Sequence, residues 1–256
     1  MIRFKNKHIL VTRPAHQAEN LCQLIAQRGG IAVLFPCIEI VATTNNYETT
    51  NCLANLNRYQ WLIFISVNAV NFALKANGGK ITIGDTHKIA AIGQATAQAL
   101  SNAGLTPALC PISGNSSEAL LATLKSDLQP GQRCLIIRGQ GGREELAIGI
   151  QKQNVKVDYL EVYRRVRPNV DNSIVIELLA NQGLDAITIT SNEILQNLMA
   201  LIDKQYHKQL FNIPVVLVSQ RIQTLAQQMG FKRTQVAASP SDSAIVDTVI
   251  KLIKEE

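Results

Sequence analysis

Short runs of apolar residues, each closed by a small polar residue or glycine, recur along the chain, with helix-length amphipathic stretches between them. His8-Ile9-Leu10-Val11-Thr12-Arg13-Pro14 reads as a buried strand ending in a polar turn. In the amphipathic helix that follows, Ala18, Leu21, Cys22, Leu24 and Ile25 fall on one side, and Gly29-Gly30 stops it. Ile31 to Phe35 and Cys37 to Val41 are the next apolar runs, and Thr43-Thr44-Asn45-Asn46 reads as a loop. Trp61-Leu62-Ile63-Phe64-Ile65 predicts a fully buried strand, with Ser66-Val67-Asn68-Ala69-Val70 opening a helix. His87 to Ile92 gives another strand, Gly93 ends it, and a helix spans about Ala95 to Ala103 before Gly104. Pro111 to Ser117 reads as a loop, and Glu118 to Leu124 as a helix with Leu120, Leu121 and Leu124 inward. Alternation of this kind predicts parallel α/β sheets.

The pattern then returns. Leu135-Ile136-Ile137-Arg138-Gly139 repeats the strand and turn of Ile9 to Arg13, and Asp185 to Asn192 repeats Trp61 to Asn68. Val215 to Ser219 matches Ile89 to Gly93, Gly230 matches Gly104, and Ser239 to Val246 matches Ser113 to Leu120. The offset stays close to half the chain, which makes chance similarity of α/β segments a poor explanation. A duplication yielding two similar lobes follows. It leaves open whether each half folds alone or the halves exchange their first elements.

Tyr159-Leu160-Glu161-Val162-Tyr163-Arg164-Arg165-Val166-Arg167 has a two-residue period. That period sets Tyr159, Glu161, Tyr163, Arg165 and Arg167 on one face and Leu160, Val162 and Val166 on the other. Pro168, lacking an N–H, ends the strand. A solvated edge strand and a strand facing a ligand cleft both fit this stretch.

Composition narrows the classes. The chain has 256 residues, 46% hydrophobic and 17% charged, enough for one large domain or two smaller ones with cores of their own. Its formal charge of +6 favours an anionic partner. The basic excess is partly local, since Arg133, Arg138, Arg143, Arg164, Arg165 and Arg167 lie close in sequence, and no lysine-rich arm suggests nucleic-acid binding. Five scattered cysteines (Cys22, Cys37, Cys52, Cys110 and Cys134) contain no C-x-x-C, so neither a disulfide framework nor a zinc site is expected. Without a membrane-length apolar run or a signal core, a reduced cytoplasm is the expected compartment.

Familiar catalytic motifs are missing. Gly139-Gln140-Gly141-Gly142-Arg143-Glu144 has Glu144 where a dinucleotide fingerprint needs glycine, and Gly78-Gly79-Lys80-Ile81 lacks the Ser/Thr of a P-loop. There is no G-x-S-x-G or H-E-x-x-H, and the four histidines do not cluster, which disfavours a metal or organic cofactor. His16 and His87 are expected at the surface, and Trp61 is expected to pack. What remains is a set of strand ends with small polar residues just before helices: Thr12-Arg13, Ser66, Gly93, Arg138-Gly139, Thr190-Ser191 and Ser219. Beyond such ends parallel sheets bind ligands, and helix N-termini there favour carboxylates or phosphates. For any single serine the plainer explanation is an N-cap worth about 1 kcal/mol. Arg13, Arg138, Arg143 and Arg221 are the nearby cations; the glycine-rich turn is expected to expose Arg138 and Arg143. Thr96 opens the helix after Gly93 and either caps it or points toward ligand.

These motifs together resemble the uroporphyrinogen-III synthase family. The likeness rests on Val11-Thr12-Arg13-Pro14, Phe64 to Val70, Ala91-Ile92-Gly93 with Thr96-Ala97 and Gly104, and Arg138-Gly139 with Gly142-Arg143. It continues through Val162-Tyr163-Arg164-Arg165, Ile189 to Asn192, Val218 to Ile222 and Ser239-Pro240-Ser241-Asp242, in order, from about residue 9 to 250. The resemblance implies an α/β fold of two flavodoxin-like parallel-sheet lobes joined by a two-stranded connector. One domain would be discontinuous (1–36 plus 168–256), the other would span 47–158, and 37–46 with 159–167 would be the connecting strands. It also implies cyclisation of hydroxymethylbilane to uroporphyrinogen III with loss of water and inversion of the last pyrrole, without metal or organic cofactor, by a cytoplasmic monomer. Tyr163 would be catalytic. Arg13, Ser66, Val67, Asn68, Thr96, Arg138, Gly139, Arg143, Ser191, Asn192, Ser219 and Arg221 would bind a substrate carrying eight carboxylates. Glu193, an acid beside such a site, is expected to face solvent. A non-catalytic two-lobed module for a small anion is the alternative, and a nucleotide-sugar enzyme a weaker one.

Overall fold

The computed structural model describes residues 4–44, 46–84, 86–114 and 116–254. The loop residues Asn45 and Asn115, and Met1, Ile2 and Arg3 of the N-terminal stretch, lie outside the described residues. The strands are β1 (His8–Val11), β2 (Ile31–Leu34), β3 (Glu39–Ala42), β4 (Trp61–Phe64), β5 (Lys88–Ala91), β6 (Arg133–Gly139), β7 (Lys156–Val166), β8 (Leu184–Ile189), β9 (Val215–Leu217) and β10 (Thr234–Val236). The helices are α1 (Ala15–Gln27), α2 (Asn46–Ala54), α3 (Val67–Ala76), α4 (Gln94–Asn102), α5 (Ser117–Leu124), α6 (Glu145–Gln151), α7 (Ser173–Ala180), α8 (Asn192–Leu201), α9 (His207–Leu210), α10 (Gln220–Met229) and α11 (Asp242–Lys254). Among the described residues, no helix is long and apolar enough to cross a membrane.

The chain divides into two units, Met1–Glu39 with Val166–Glu256, and Ile40–Arg165. The first holds a five-stranded sheet ordered β10-β9-β8-β1-β2; the second holds one ordered β3-β7-β6-β4-β5. Counted by rank within its own unit, the first sheet runs 2-1-3-4-5 from its β2 edge, the flavodoxin-like order. The segments 37–46 and 159–167, expected as connectors, contribute β3 and most of β7 to the second sheet.

The duplication acquires its structural meaning here. β1 pairs in parallel with β8, the second-copy counterpart of β4, whereas β6 pairs with β4 itself. The two copies have therefore exchanged their first strands.

Alternation along the second sheet buries both faces. Leu62, Phe64, Leu135 and Ile137 enter one core, while Trp61, Ile63, Cys134 and Ile136 enter the other. In the first unit Ile9 and Val11 pack with Ala18, Leu21 and Ile25 of α1 and with Ile245, Val246 and Val249 of α11. Trp61 packs as expected and is 1% exposed.

Three expectations change. β7 does not keep its two-residue alternation: its pairing with β6 shifts between Arg138 and Gly139, so that Arg138 faces Glu161 but Gly139 faces Tyr163. The skipped residue turns Tyr163 away from the face that a strict alternation assigns it. Tyr163 accordingly joins Leu160 and Val162 in the core instead of sharing the face of Tyr159. His87 is half-buried, not a surface residue, with Nε2 3.0 Å from the Leu56 carbonyl. Asn46, expected in a loop, opens α2, whose weak apolar periodicity buries Thr49 and Leu53 but leaves most of its face polar.

Candidate active site

In the second unit, the carboxyl ends of β4 and β5 lead into α3 and α4. Ser66 ends β4 in extended backbone, and its Oγ accepts the Ala69 N–H at 3.0 Å, as an N-cap should. Ser191 caps α8 in the first unit in the same way, accepting from Ile194 at 3.1 Å, and Ser219 caps α10, accepting from Ile222 at 3.4 Å. The fourth member of this set is Gly93. It has no side chain to cap α4, although the N–H groups of Thr96 and Ala97 still reach its carbonyl. The α4 N-terminus thus keeps the positive end of its dipole open to a ligand. A hollow of about 580 Å³ lies there, lined by Ile65, Ser66, Gly93, Gln94, Thr96 and Ile112 among others. Thr96 is buried on its wall, one turn inside the helix, and so is not the cap. Val67 is exposed and Asn68 half-buried in the first turn of α3.

Tyr163 is 3% exposed. Its ring lies 5.7 Å from that of Phe72, and its hydroxyl is 3.2 Å from Ser66 Oγ. Tyr163 does not itself line the hollow, but Ser66 does. The phenol therefore communicates with the hollow through the Ser66 hydroxyl. Gly139 makes this possible. A Cβ there would stand 2.5 Å from Cε2 and Cζ of Tyr163, so only glycine lets the ring cross the end of β6.

Arg138 is not exposed by its glycine-rich turn, contrary to the sequence-based expectation. It is 3% exposed, and its guanidinium donates to the carbonyls of Gly139, Gly141 and Arg143 and to Glu144 Oε1. It also stacks over the Tyr159 ring, 4.6 Å from the centroid. The turn needs this filling because Gly141 and Gly142 hold positive φ and the carbonyls of Gly139, Gly141 and Arg143 turn inward. Arg143, by contrast, is exposed and forms no ion pair among the described residues. Beside it a smaller hollow of about 240 Å³ shares Ile65 and Ile92 with the first and is lined by Ser117, Arg138, Arg143 and Tyr159.

The network has electrostatic consequences. The hydrogen bond from Tyr159, with Arg138 behind it, holds the Glu144 carboxyl below the ordinary carboxylate range. Partial burial and then Glu144 itself push the Tyr159 phenol up to about 12. Glu144, Tyr159 and Glu161 were not singled out from the sequence as site residues; the alternation of β7 was the signal that placed two of them together.

The first unit presents its own strand ends. Thr12 is fully buried, and its hydroxyl donates to the Thr188 carbonyl, so it serves the sheet. Arg13 is paired with Asp242 at 2.6 Å, with both side chains largely covered, so its charge is already answered within the unit. Asn192 is half-buried in the first turn of α8, with its Oδ1 buried and unpartnered, and Arg221 is exposed in the first turn of α10. Glu193 faces solvent.

A family model described as uroporphyrinogen-III synthase matches residues 19–247. The uroporphyrinogen-III synthase of Salmonella typhimurium is 30% identical over 242 residues, covering 93% of this chain and 98% of its own. The chain belongs to the uroporphyrinogen-III synthase family. The Escherichia coli enzyme matches over the same span at 30% identity, covering 93% of this chain and 98% of its own. Among solved structures, the Helicobacter pylori enzyme superposes with a TM-score of 0.61 at 13% identity, covering 96% of this chain and 99% of that one. A mutant Thermus thermophilus uroporphyrinogen III synthase gives 0.60 at 17%, covering 98% and 100%. These two likenesses establish a shared fold. The small-anion module considered above is not favoured, since a family model and relatives over nearly the whole chain carry the synthase name.

Proposed function

We propose that the chain is a lyase that closes linear hydroxymethylbilane to uroporphyrinogen III, expelling the hydroxyl as water and inverting the last pyrrole. The observation that carries the site assignment is the Tyr163–Ser66 pair at the edge of the α4 hollow. A phenol O–H is a proton donor and suits the role of general acid. Because Tyr163 is buried behind Ser66, the proton passes in two moves. Ser66 Oγ–H donates to the departing hydroxyl, the C–O bond breaks, and water leaves. Tyr163 O–H restores the serine proton. The last pyrrole first attacks through the α-carbon that already carries its bridge. That bridge bond then breaks and re-forms at the pyrrole's other, hydrogen-bearing α-carbon, which inverts the ring and releases one proton that returns the phenol to its starting form. Substrate carboxylates would be met by the uncapped N-terminus of α4 and by Arg143. The reactive bilane can close without inversion, so holding it in one shape is the larger part of the work.

The test is direct. Purified protein is given freshly made hydroxymethylbilane, and the oxidised products are separated by isomer. Type III product supports the reading; type I alone, at the spontaneous rate, overturns it.

A further inference from the structure

The loop from Gln140 to Glu144 is tied to β7 at three successive alternate residues. Tyr159 Oη donates to Glu144 Oε2, Gly141 N–H donates to Glu161 Oε1 at 3.1 Å, and Gln140 N–H donates to the Tyr163 carbonyl at 2.7 Å. Arg138 fills the loop from below through its carbonyls and stacks on Tyr159. So many ties on one short exposed loop exceed what a plain connection needs, since connections ordinarily run free over the surface. What the ties accomplish is to fix where Arg143 stands, on the rim of the 240 Å³ hollow. The hollow has an apolar floor of Ile65, Ile92, Ile136, Leu146 and Ala147 and a cation at its edge, the combination that suits a flat apolar ring bearing a carboxylate.

We infer that Tyr159 and Glu144, with Arg138 between them, are positioning residues that hold Arg143 at this hollow to receive one carboxylated pyrrole of the substrate and so help set the product isomer. This rests on the synthase reading above. Glu144 need not touch substrate, and Tyr159, whose ring also lines the hollow, holds the loop through its hydroxyl. Releasing the clamp lets Arg143 swing away on a loop whose glycines allow wide backbone freedom.

The test uses Tyr159→Phe, Glu144→Gln and Arg143→Ala in the full chain, each checked for an unchanged melting temperature. Measured are KM, kcat and the type III to type I ratio. Each clamp variant should raise KM for hydroxymethylbilane about tenfold, the scale of one lost charge-assisted hydrogen bond, with kcat little changed. The share of type I should rise in each. Arg143→Ala should add little in the Tyr159→Phe background, because the arginine is no longer held. An unchanged KM and isomer ratio in Tyr159→Phe and Glu144→Gln overturns the clamp. So does full additivity with Arg143→Ala. If wild-type protein makes no type III product, the synthase reading has failed instead, so the two failures are told apart.

Discussion

Replacing Gly139 with alanine places one methyl group where the structure has no room for it. The added Cβ would lie 2.5 Å from Cε2 and Cζ of Tyr163 and 3.0 Å from its hydroxyl oxygen. Carbon atoms settle at about 3.5–4.0 Å, so the ring must retreat by roughly 1 Å. Tyr163 is 3% exposed and packs against Phe72, so the retreat is resisted. Overpacking of this kind costs about 1–3 kcal/mol, and losing the Ser66 hydrogen bond adds about 1 kcal/mol. Gly139 is not among the positive-φ glycines, so backbone strain contributes nothing and the cost is steric. Gly139→Ala should therefore lose about 2–4 kcal/mol. The measurement is urea denaturation followed by fluorescence of the chain's single tryptophan, Trp61, which lies in β4 of the same unit. In a Tyr163→Ala background the vacated space accepts the methyl, and the same substitution should cost less than about 0.5 kcal/mol. An equal loss in both backgrounds, or no loss in the first, refutes the packing argument.

Tyr163→Phe should slow turnover about a hundredfold or more while costing only about 1 kcal/mol of stability, and adding Ser66→Ala should lower the rate little further, because the two hydroxyls act as one relay. Near-wild-type turnover removes the phenol from the chemistry. Asp242→Asn leaves Arg13 without its counter-charge and weakens the bond from Asn20, which should cost about 1–3 kcal/mol by far-UV circular dichroism; an unchanged midpoint would make the pair decorative. Desolvation raises the Asp158 carboxyl, but hydrogen bonds from Arg133 and Tyr59 more than offset it, and its pKa ends below the ordinary value. The stability Asp158 contributes is thus complete above its unfolded value of about 3.9 and lost as pH falls through the lower folded value. Asp158→Asn should flatten the acid limb of stability against pH, and superimposable limbs would contradict this.

The strands, the helix-starting serines and the duplication were legible in the chain because each depends on local physics. Ser66, Ser191 and Ser219 sit where an apolar run gives way to a helix, and a side-chain oxygen at that point satisfies a backbone N–H whatever the rest of the molecule does. The fully apolar run of β4 likewise announces burial on both faces. Only tertiary structure settled which copy each strand would join, since β1 is as compatible in pattern with β4 as with β8, and pairing choice is a property of the whole sheet. The same holds for Tyr163. A two-residue period reads its neighbours correctly, but a single register shift against β6 turns the phenol into the core, and nothing in the run of side chains marks where pairing slips. Arg138 looked exposed because arginine beside glycines is usually solvated. It is buried because the turned carbonyls of that loop supply the acceptors that a charged group needs away from water.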